Sequence, residues 1–565
     1  MPDLNLPLGI EFFDVLRSSD CYYIDKTGFI KELLSETFSV NLITRPRRFG
    51  KTLTMSTLKE FLDIRKNSQN LFHGLEISKD TTLCKKWMNQ WPVLFLTLKD
   101  VEGRKFEKAY GILKQVISNL CIEHAYLQNS DKVAQADTDT FIRLMNRKSD
   151  DTELQCSLYI LTRMIKAHYG KNVILLIDEY DVPLAAASEH GYYDDMLELM
   201  RGFLGMVWKS NPSLKFAVVT GCLRIAKESI FTGTNNFVSN SISDKKYDQY
   251  FGFTEPEVIQ LLADIECKNC LPAMKKWYDG YLFGQKEIYC PWDVINHARK
   301  LLDDKNAFPE NYWKNTSHNG IIRKFIELPG MAVHDKFETL LSGGCIKEPI
   351  SEDLTYDIAH SSEDNLWSIL YLTGYLTQAK SENPSDKRNS VSGNTLLRIP
   401  NEEVKTIFAD TIAEWFKDHI SSRDRREFFQ KWWAGDSENL TNDITDILFE
   451  TISYFDYSED YYHAFLTGLF SGAGYEVSSN SEQGTGRADI VVKDRKNKRA
   501  IIIEVKRSIK EDRLEKDCRD ALSQIEDKQY PKKLLIQGYK TVLRYGAAFY
   551  AKTCLITGQL KVLKQ

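Results

Sequence analysis

The sequence lacks the features of a secreted or membrane-bound protein. Its apolar runs, such as the one from Val173 to Ile177, are far too short to span a bilayer. The start, Met-Pro-Asp-Leu-Asn, has neither the basic segment nor the apolar stretch of a secretory signal peptide. The eleven cysteines are odd in number and form no disulfide framework. We therefore expect a cytoplasmic protein with no membrane partner.

A cysteine zinc site and a strong net charge are also missing from the sequence. Cys267 and Cys270 form a Cys-x-x-Cys pair, but a structural zinc needs four ligands and no second pair follows at usable spacing. Two free thiols are the favoured interpretation. The net charge of -5 argues against a protein that coats nucleic acid indiscriminately, although it permits a local basic groove.

The 565 residues exceed what one hydrophobic core usually fills, so several domains are expected. The first third alternates short apolar runs with helical patterns, which predicts a parallel sheet covered by helices. Residues 254–440 read as helices rich in aromatics. Leu376 with its neighbours and Leu396 to Ile399 predict a two-stranded wing around the polar loop from Lys380 to Asn394, which would make part of this region winged-helix-like. A small α/β unit follows. The strands predicted in the first third are Val40 to Thr44, Val93 to Leu98, Asn172 to Ile177 and Leu214 to Thr220.

A candidate phosphate-binding loop, Arg-Pro-Arg-Arg-Phe-Gly-Lys-Thr, lies between the first strand and a helical stretch. Gly50 would let the backbone approach phosphate oxygens, Lys51 would reach the β- and γ-phosphates, and Thr52 would hold Mg²⁺ through its hydroxyl. The usual first glycine of a P-loop is Arg45 here, and a surface loop with a chance Gly-Lys-Thr is the alternative. The residues predicted to bind nucleotide are Arg45, Arg47, Arg48, Phe49, Gly50, Lys51, Thr52 and Leu53.

A second motif supports nucleotide binding. The buried strand ending in Ile177 is followed by paired acids, as in a Walker B segment. Asp178 would hold the Mg²⁺ hydration shell beside the phosphate loop, and Glu179 would polarise the attacking water. Alternatively these acids cap the next helix, Asp181 especially.

The fourth strand carries two further candidates. Thr220, at its end, is placed to sense the γ-phosphate. Arg224 would contact the phosphate or act on a neighbouring subunit, and pairing with a surface acid is the alternative. The sequence does not decide whether the protein forms an oligomer, so an oligomer stays possible.

A carboxylate motif lies near the C-terminus. Asp489 begins one strand of a predicted hairpin, while Glu504 and Lys506 lie two residues apart on its partner and share a face. The two carboxylates and the carbonyl of Val505 are the hard oxygen ligands that Mg²⁺ prefers. Lys506 would position water or neutralise charge on a phosphate, and Gln524 on the next helix would reach the same cleft.

An amphipathic hairpin with an exposed Glu-Lys pair is the alternative. The run from Ile501 to Ile503 weighs against it, because three β-branched residues imply a strand buried on both faces. Basic residues cluster in the hairpin turn, where a solvated turn explains them but a nucleic-acid backbone would also fit. They are Lys493, Arg495, Lys496, Lys498 and Arg499.

Over nearly its full length the chain resembles bacterial and archaeal AAA-ATPase-like proteins that carry a C-terminal PD-(D/E)XK nuclease-superfamily domain. In that family Arg45 is the usual residue, whereas Ala488 stands where the superfamily often has proline. The motifs that carry the resemblance are Tyr23 to Thr27, Arg45 to Thr52, Ile177 to Asp181, Thr220-Gly221, Arg224 to Phe231, Trp277 to Tyr281, Pro291-Trp292, Leu372 to Thr377, Tyr462 to Phe465, Gly484 to Asp489 and Glu504 to Lys506.

The resemblance implies an α/β multidomain protein: an ATPase domain over 1–253, a helical, winged-helix-like middle region over 254–440 and a nuclease-like domain over 441–565. It implies ATP and Mg²⁺ as cofactors and nucleic acid, DNA more than RNA, as the partner. Asp489, Glu504 and Lys506 would be catalytic. An ATP-gated switch with a non-cleaving nuclease fold, and a slow ATPase whose nucleotide mainly stabilises the fold, are the alternatives.

Overall fold

The computed structural model describes most of the chain and divides it into two compact units. One comprises Met1–Tyr312 with Lys347–Glu402, and the other Trp313–Ile346 with Glu403–Gln565. The polar loop predicted between Lys380 and Asn394 lies outside the described residues. These residues are 4–209, 211–225, 230–231, 237–313, 336–337, 339–354, 363–380, 394–420, 426–451, 459–483 and 486–562.

A five-stranded parallel sheet organises the first unit, with strand order β2-β3-β4-β1-β6. All four strands predicted there are confirmed to within two residues. Their apolar residues are largely buried because helices cover both faces of the sheet. The strands of this part of the chain are β1 Val40–Thr44, β2 Val93–Thr97, β3 Val173–Asp178, β4 Leu214–Gly221, β5 Arg224–Ile225, β6 Phe237–Asn240, β7 Tyr281–Phe283, β8 Lys286–Ile288, β9 Ile346–Pro349, β10 Asp353–Leu354, β11 Thr377–Gln378 and β12 Asn394–Arg398.

The helices around this sheet begin and end where local chemistry favours it. One helix is capped by a reciprocal pair, Asp150 and Glu153, and ends at Gly170, which adopts a φ of 68°. The helices are α1 Phe13–Ser18, α2 Gly28–Leu34, α3 Lys51–Leu62, α4 Thr81–Trp87, α5 Phe106–Glu123, α6 Gln135–Met145, α7 Asp151–Tyr169, α8 Val182–His190, α9 Tyr193–Trp208, α10 Glu255–Asp264, α11 Leu271–Tyr278, α12 Pro291–Asp303 and α13 Glu363–Leu372.

The second unit contains a mixed five-stranded sheet of order β13-β14-β15-β16-β17, in which β15 and β16 are parallel and the other pairs antiparallel. Its strands are β13 Glu476–Gln483, β14 Gly486–Asp494, β15 Arg499–Arg507, β16 Thr541–Tyr550 and β17 Thr553–Val562. The remaining helices are α14 Glu402–Ile420, α15 Arg426–Ala434, α16 Ser437–Thr451, α17 Glu459–Gly472, α18 Leu514–Asp527 and α19 Pro531–Ile536.

Three further expectations concern the wing, the cysteines and membrane-spanning helices. The predicted wing strands, β11 and β12, pair antiparallel, with α13 before and α14 after them in the chain. They belong to a three-stranded sheet of order β11-β12-β9, however, and not to the two-stranded wing expected from sequence. Among the described residues no cysteine forms a disulfide, Cys267 and Cys270 included. Within the described ranges, no helix combines the length and apolar character needed to cross a bilayer.

Candidate nucleotide and nuclease sites

The loop between β1 and α3 has a backbone suited to enclosing an anion. Gly50, at the N-cap of α3, adopts a φ of 81°, and Arg48 shortly before it adopts a φ of 71°. Such left-handed conformations turn the chain so that amides at the helix start face one point. Nothing lies within 4 Å of a Cβ placed on Gly50, so glycine is required there by φ and not by crowding.

The acid at the end of β3, Asp178, lies between two hydroxyl groups. The hydroxyl of Thr52 donates to Asp178 Oδ2 at 2.7 Å, and that of Thr220 donates to Asp178 Oδ1 at 2.5 Å. Parallel pairing of β3, β4 and β1 brings these strand ends to one edge of the sheet. The structure therefore brings together three of the residues predicted from separate motifs.

Lys51 is buried in the same place and is held by the loop itself. Its ammonium group lies 3.2 Å from the carbonyl oxygen of Arg45, 3.0 Å from that of Pro46 and 3.7 Å from the sulfur of Cys222. It also lies 3.3 Å from Glu179 Oε1. Burial lowers the pKa of Lys51, but the surrounding acidic groups outweigh burial and raise it overall, so the side chain keeps its charge.

The charged groups around Asp178 are compatible with a divalent cation next to this carboxylate. Burial raises its pKa, the charge of Glu179 raises it further, and the two hydroxyls and Lys51 oppose the rise. A buried carboxylate beside a second one is costly without a cation. A magnesium hydrate held by Thr52 and Asp178 would remove that cost, so the donor set fits Mg²⁺.

Other residues predicted for nucleotide have side chains directed elsewhere. The buried guanidinium of Arg45 donates to the carbonyl oxygens of Thr44, Asn240 and Lys246 at 2.8, 3.0 and 3.3 Å. Burial lowers the pKa of Arg45 to about 10, and nearby acids oppose this. Only the backbone groups of Arg45 therefore remain available to contact a bound phosphate.

The tip of the loop packs against aromatic residues that follow it much later in the chain. Phe49 is fully buried, with ring centroids 4.9 Å from Tyr281 and 5.0 Å from Phe283. Arg48 lies 4.9 Å above the ring of Trp292 and donates to the carbonyl oxygen of Tyr312 at 2.7 Å. The side chains of Arg48 and Phe49 therefore hold the loop in place. Only the backbone groups of these residues remain available for the predicted contact with nucleotide.

The remaining predicted nucleotide residues lie at the margins of this site. Arg47 and Leu53 are half-buried in the loop and at the start of α3. The guanidinium carbon of Arg224 lies 5.8 Å from the centroid of Phe237. Its backbone belongs to β5, which pairs with β10.

In the second unit, the two predicted carboxylates lie at a point where strands β14 and β15 separate. The antiparallel pairing runs up to Ile490 and Ile503. Beyond it, the amide of Val505 donates to Asp489 Oδ2 at 2.9 Å, so a carboxylate takes the place of a backbone acceptor. The geometry brings Asp489 next to Glu504, as the spacing predicts.

Glu504 is the electrostatic centre of this cleft. It is fully buried, Gln524 donates to its Oε1, and the ammonium of Lys506 lies 3.8 Å from the same oxygen. The buried Oε2 has no hydrogen-bond partner among the residues that the structure describes. Burial raises the pKa of Glu504 to about 8, the charge of Asp489 contributes to the rise, and Lys506 opposes it.

These features fit a divalent cation in the cleft. A positive charge in the cleft would give the unpaired Oε2 of Glu504 a partner and would lower the raised pKa of that carboxyl group. Among the residues that the structure describes, no cluster of three or more His, Cys, Asp or Glu side chains has metal-binding geometry. Two carboxylates and the Val505 carbonyl are thus the donor set under consideration.

Sequence reasoning missed two contributors to the cleft from α17. Glu459 lies 3.7 Å from the ammonium of Lys506 and accepts from the amide of Arg507 at 3.3 Å. His463, in the motif from Tyr462 to Phe465, has its Nε2 2.7 Å from the carbonyl oxygen of Asp489. The Tyr-His-Ala-Phe motif was the available signal, but its partner lies 26 residues away.

Comparison with known proteins finds a match to one family within each of the two compact units. Residues 7–231 match the family described as "Predicted AAA-ATPase", and residues 457–559 match the PD-(D/E)XK nuclease superfamily. The chain joins an AAA-ATPase-like domain to a PD-(D/E)XK nuclease-superfamily domain. A protein of Azotobacter chroococcum mcd 1, named "Uncharacterized protein in vnfD 5'region", is 24% identical over 506 residues, which are 86% of either chain.

The match confirms the family and the fold class expected from the motifs. The phosphate loop, the β3 acids and Thr220 belong to the AAA-ATPase-like domain. Asp489, Glu504, Lys506 and Gln524 belong to the nuclease-superfamily domain. Both families suggest enzymes that act on nucleotides or nucleic acids.

Proposed function

We propose that this protein is an ATP-binding and ATP-hydrolysing enzyme that cleaves phosphodiester bonds of nucleic acid, DNA in preference to RNA, with Mg²⁺. The observation that carries the proposal is the cleft in which half-buried Asp489 and buried Glu504 lie beside Lys506 and Gln524. Two acids, an ammonium and an amide in one cleft would be a costly arrangement for a purely structural hairpin.

Each nuclease residue has a distinct proposed task. Asp489, Glu504 and the carbonyl of Val505 would hold Mg²⁺, which supplies Lewis-acid activation of a phosphodiester and of water when bound. Lys506 orients the attacking water and balances charge on the scissile phosphate. Gln524 fixes the rotamer of Glu504 through its hydrogen bond.

For the ATPase-like domain we assign binding and hydrolysis to different residues. Lys51 would contact the terminal phosphates, and Thr52 and Asp178 would hold Mg²⁺. Glu179 would orient the attacking water once the phosphate has taken its place beside Lys51. Thr220 connects to this set through Asp178. The free thiols support a reducing, cytoplasmic location.

A direct test incubates the full-length protein with linear duplex DNA, single-stranded DNA and RNA, with and without ATP and Mg²⁺. We expect cleavage with Mg²⁺ that is lost in Glu504→Gln and Lys506→Ala. Glu515→Gln, on the exposed surface of α18, is the matched control and should cut normally. Cleavage that persists in Glu504→Gln would reject the proposed site.

A second function is favoured by one observation and is separated by the same experiment. Because the pKa of Glu504 is about 8, the metal-free site at neutral pH holds a largely protonated acid. Such a cleft would suit an ATP-gated switch that holds nucleic acid without cutting it. Tight DNA binding with no product under any divalent metal would favour the switch over the nuclease.

A further inference from the structure

Two side chains that follow the β3 acids bond to the backbone of the segment after β4. Asp181 Oδ2 accepts the amides of Cys222 and Leu223, each at 3.0 Å. The hydroxyl of Tyr180 donates to the carbonyl oxygen of Leu223 at 2.8 Å and accepts the amide of Ile225 at 2.9 Å. Although Asp181 precedes α8, its side chain makes no capping bond there, in contrast to the capping role considered from sequence.

The contact between these side chains and the segment after β4 is close. Tyr180 and Asp181 are both buried. A Cβ added to Gly221 would lie 2.6 Å from Asp181 Oδ1 and 2.7 Å from ring carbons of Tyr180. Such packing leaves no room for one segment to move without the other. We call residues 180–181 and 221–225 the β3–β4 clamp.

The clamp touches the phosphate loop on one side. Glu179, the residue before it, adopts a φ of 55° and lies 3.3 Å from the ammonium of Lys51. Cys222, held by Asp181, has its sulfur 3.7 Å from the same ammonium. A phosphate that binds Lys51 competes with both contacts, so nucleotide arrival perturbs the clamp directly.

On its other side the clamp continues into the later part of the unit. Arg224 and Ile225 form β5, which pairs in parallel with Asp353 and Leu354 of β10. Ile225 and Leu354 are each 1% exposed, so this short ribbon is packed on its apolar side. A displacement of residues 222–225 therefore reaches a segment more than a hundred residues further along the chain.

We propose that Tyr180 and Asp181 are positioning residues that transmit nucleotide occupancy from the phosphate loop to the β5–β10 ribbon. The inference rests on the proposed ATP binding. Neither side chain contacts the reacting atoms in this arrangement: Asp181 acts as a hydrogen-bond acceptor and Tyr180 as a bridge between a carbonyl and an amide. The segment that would shift is 222–225, which contacts Lys51 of the loop through Cys222 and pairs with β10 through Arg224 and Ile225.

Hydrogen exchange of the full-length protein, with and without Mg²⁺ and a non-hydrolysable ATP analogue, tests the relay. In the native protein we expect the analogue to protect the loop, residues 222–225 and residues 353–354. In Tyr180→Phe we expect protection of the loop to persist, while the amide of Ile225 exchanges about fivefold faster and no longer responds to the analogue.

Matched variants separate positioning from a charge effect or a general loss of packing. Tyr278→Phe is the control, because the Tyr278 hydroxyl also bridges a carbonyl and an amide, both of Glu310 at 2.9 and 3.0 Å. It should leave the response of residues 222–225 intact. Asp181→Asn keeps an oxygen acceptor and should retain the response, whereas Asp181→Ala should lose it.

Each result bears on a different claim. If the analogue protects the loop but never alters residues 222–225 or 353–354, the relay is wrong. It is also wrong if Tyr180→Phe transmits the full response. If Asp181→Asn fails as Asp181→Ala does, the carboxylate charge is what matters and the positioning role is rejected. Absence of protection in the loop itself would instead overturn the proposed ATP binding.

Discussion

Replacing Glu504 by glutamine changes the charge of the nuclease cleft while keeping its shape. Glutamine can still accept the hydrogen bond from Gln524 through its carbonyl oxygen. The orphaned position of Oε2 becomes an amide, which cannot ionise. The variant therefore isolates the cost of a buried negative charge from the cost of an altered packing arrangement.

The size of that cost follows from the pKa of Glu504, which burial, with help from Asp489, raises from 4.5 to about 8. Because the folded protein binds this proton more tightly than the unfolded chain does, metal-free stability falls as pH rises from 4.5 to about 8. A shift of this size corresponds to a loss of about 5 kcal/mol at full ionisation, most of it already present at neutral pH. Glutamine escapes this loss.

The assay is urea unfolding of the full-length protein in EDTA. Pulse proteolysis measures the unfolded fraction of the unit that contains Glu504 at each urea concentration. At pH 5 the native protein and Glu504→Gln should have similar stability, whereas at pH 8 the variant should be more stable by about 4 kcal/mol. Glu515→Gln should follow the native protein at both values. Equal stability differences at pH 5 and pH 8 would refute the electrostatic reasoning.

Magnesium should narrow the stability difference between the two proteins if the cleft is a metal site. A cation that binds the folded state stabilises it in proportion to its occupancy, by about 3 kcal/mol at a hundred times its Kd. The native protein should gain this stability on addition of MgCl₂, and Glu504→Gln should not. A gain of the same size in both would place the magnesium elsewhere.

Four further changes test the ATPase-like domain. Lys51→Ala should abolish the rise in thermal stability that saturating ATP gives the native protein, in a thermal-shift titration. Thr220→Val removes the hydroxyl group that donates a hydrogen bond to buried Asp178. It should slow ATP hydrolysis at least tenfold while the Kd for ATP changes less than threefold. Gly221→Ala should destabilise the unit by about 2 kcal/mol in urea unfolding, because its Cβ would lie 2.6 Å from Asp181 Oδ1. Arg45→Met leaves three carbonyl oxygens without their donor and should cost about 3 kcal/mol in the same assay.

Local pattern was sufficient for the sheet and for the residues at its edge. The strand ending at Ile177 is continuously apolar, and the acids directly after it must lie where β3 ends, whatever surrounds them. The same holds for Glu504 and Lys506, whose spacing of two places them on one face of β15. Periodicity and strand direction are short-range properties, so they can be predicted from a short stretch of sequence.

The direction of long side chains was not predictable in the same way. Arg45, Arg48 and Phe49 look like phosphate-binding residues in a basic loop, yet their side chains contact residues from 240 to 312. Burial of an arginine depends on carbonyls and rings supplied by distant segments, and no spacing rule reports them. Asp181 likewise reads as a helix cap until the backbone of residues 222 and 223 approaches it.

The amino-acid order alone therefore determined which residues end strands, which faces they share and which two families the chain would join. Tertiary structure decided how those ends meet: that Thr52 and Thr220 both bond Asp178, and that Glu504 loses water on closing against α18. The physical reason is the range of the forces involved. Backbone periodicity acts over a few residues, whereas desolvation and hydrogen bonding between segments exist only once the whole unit has closed.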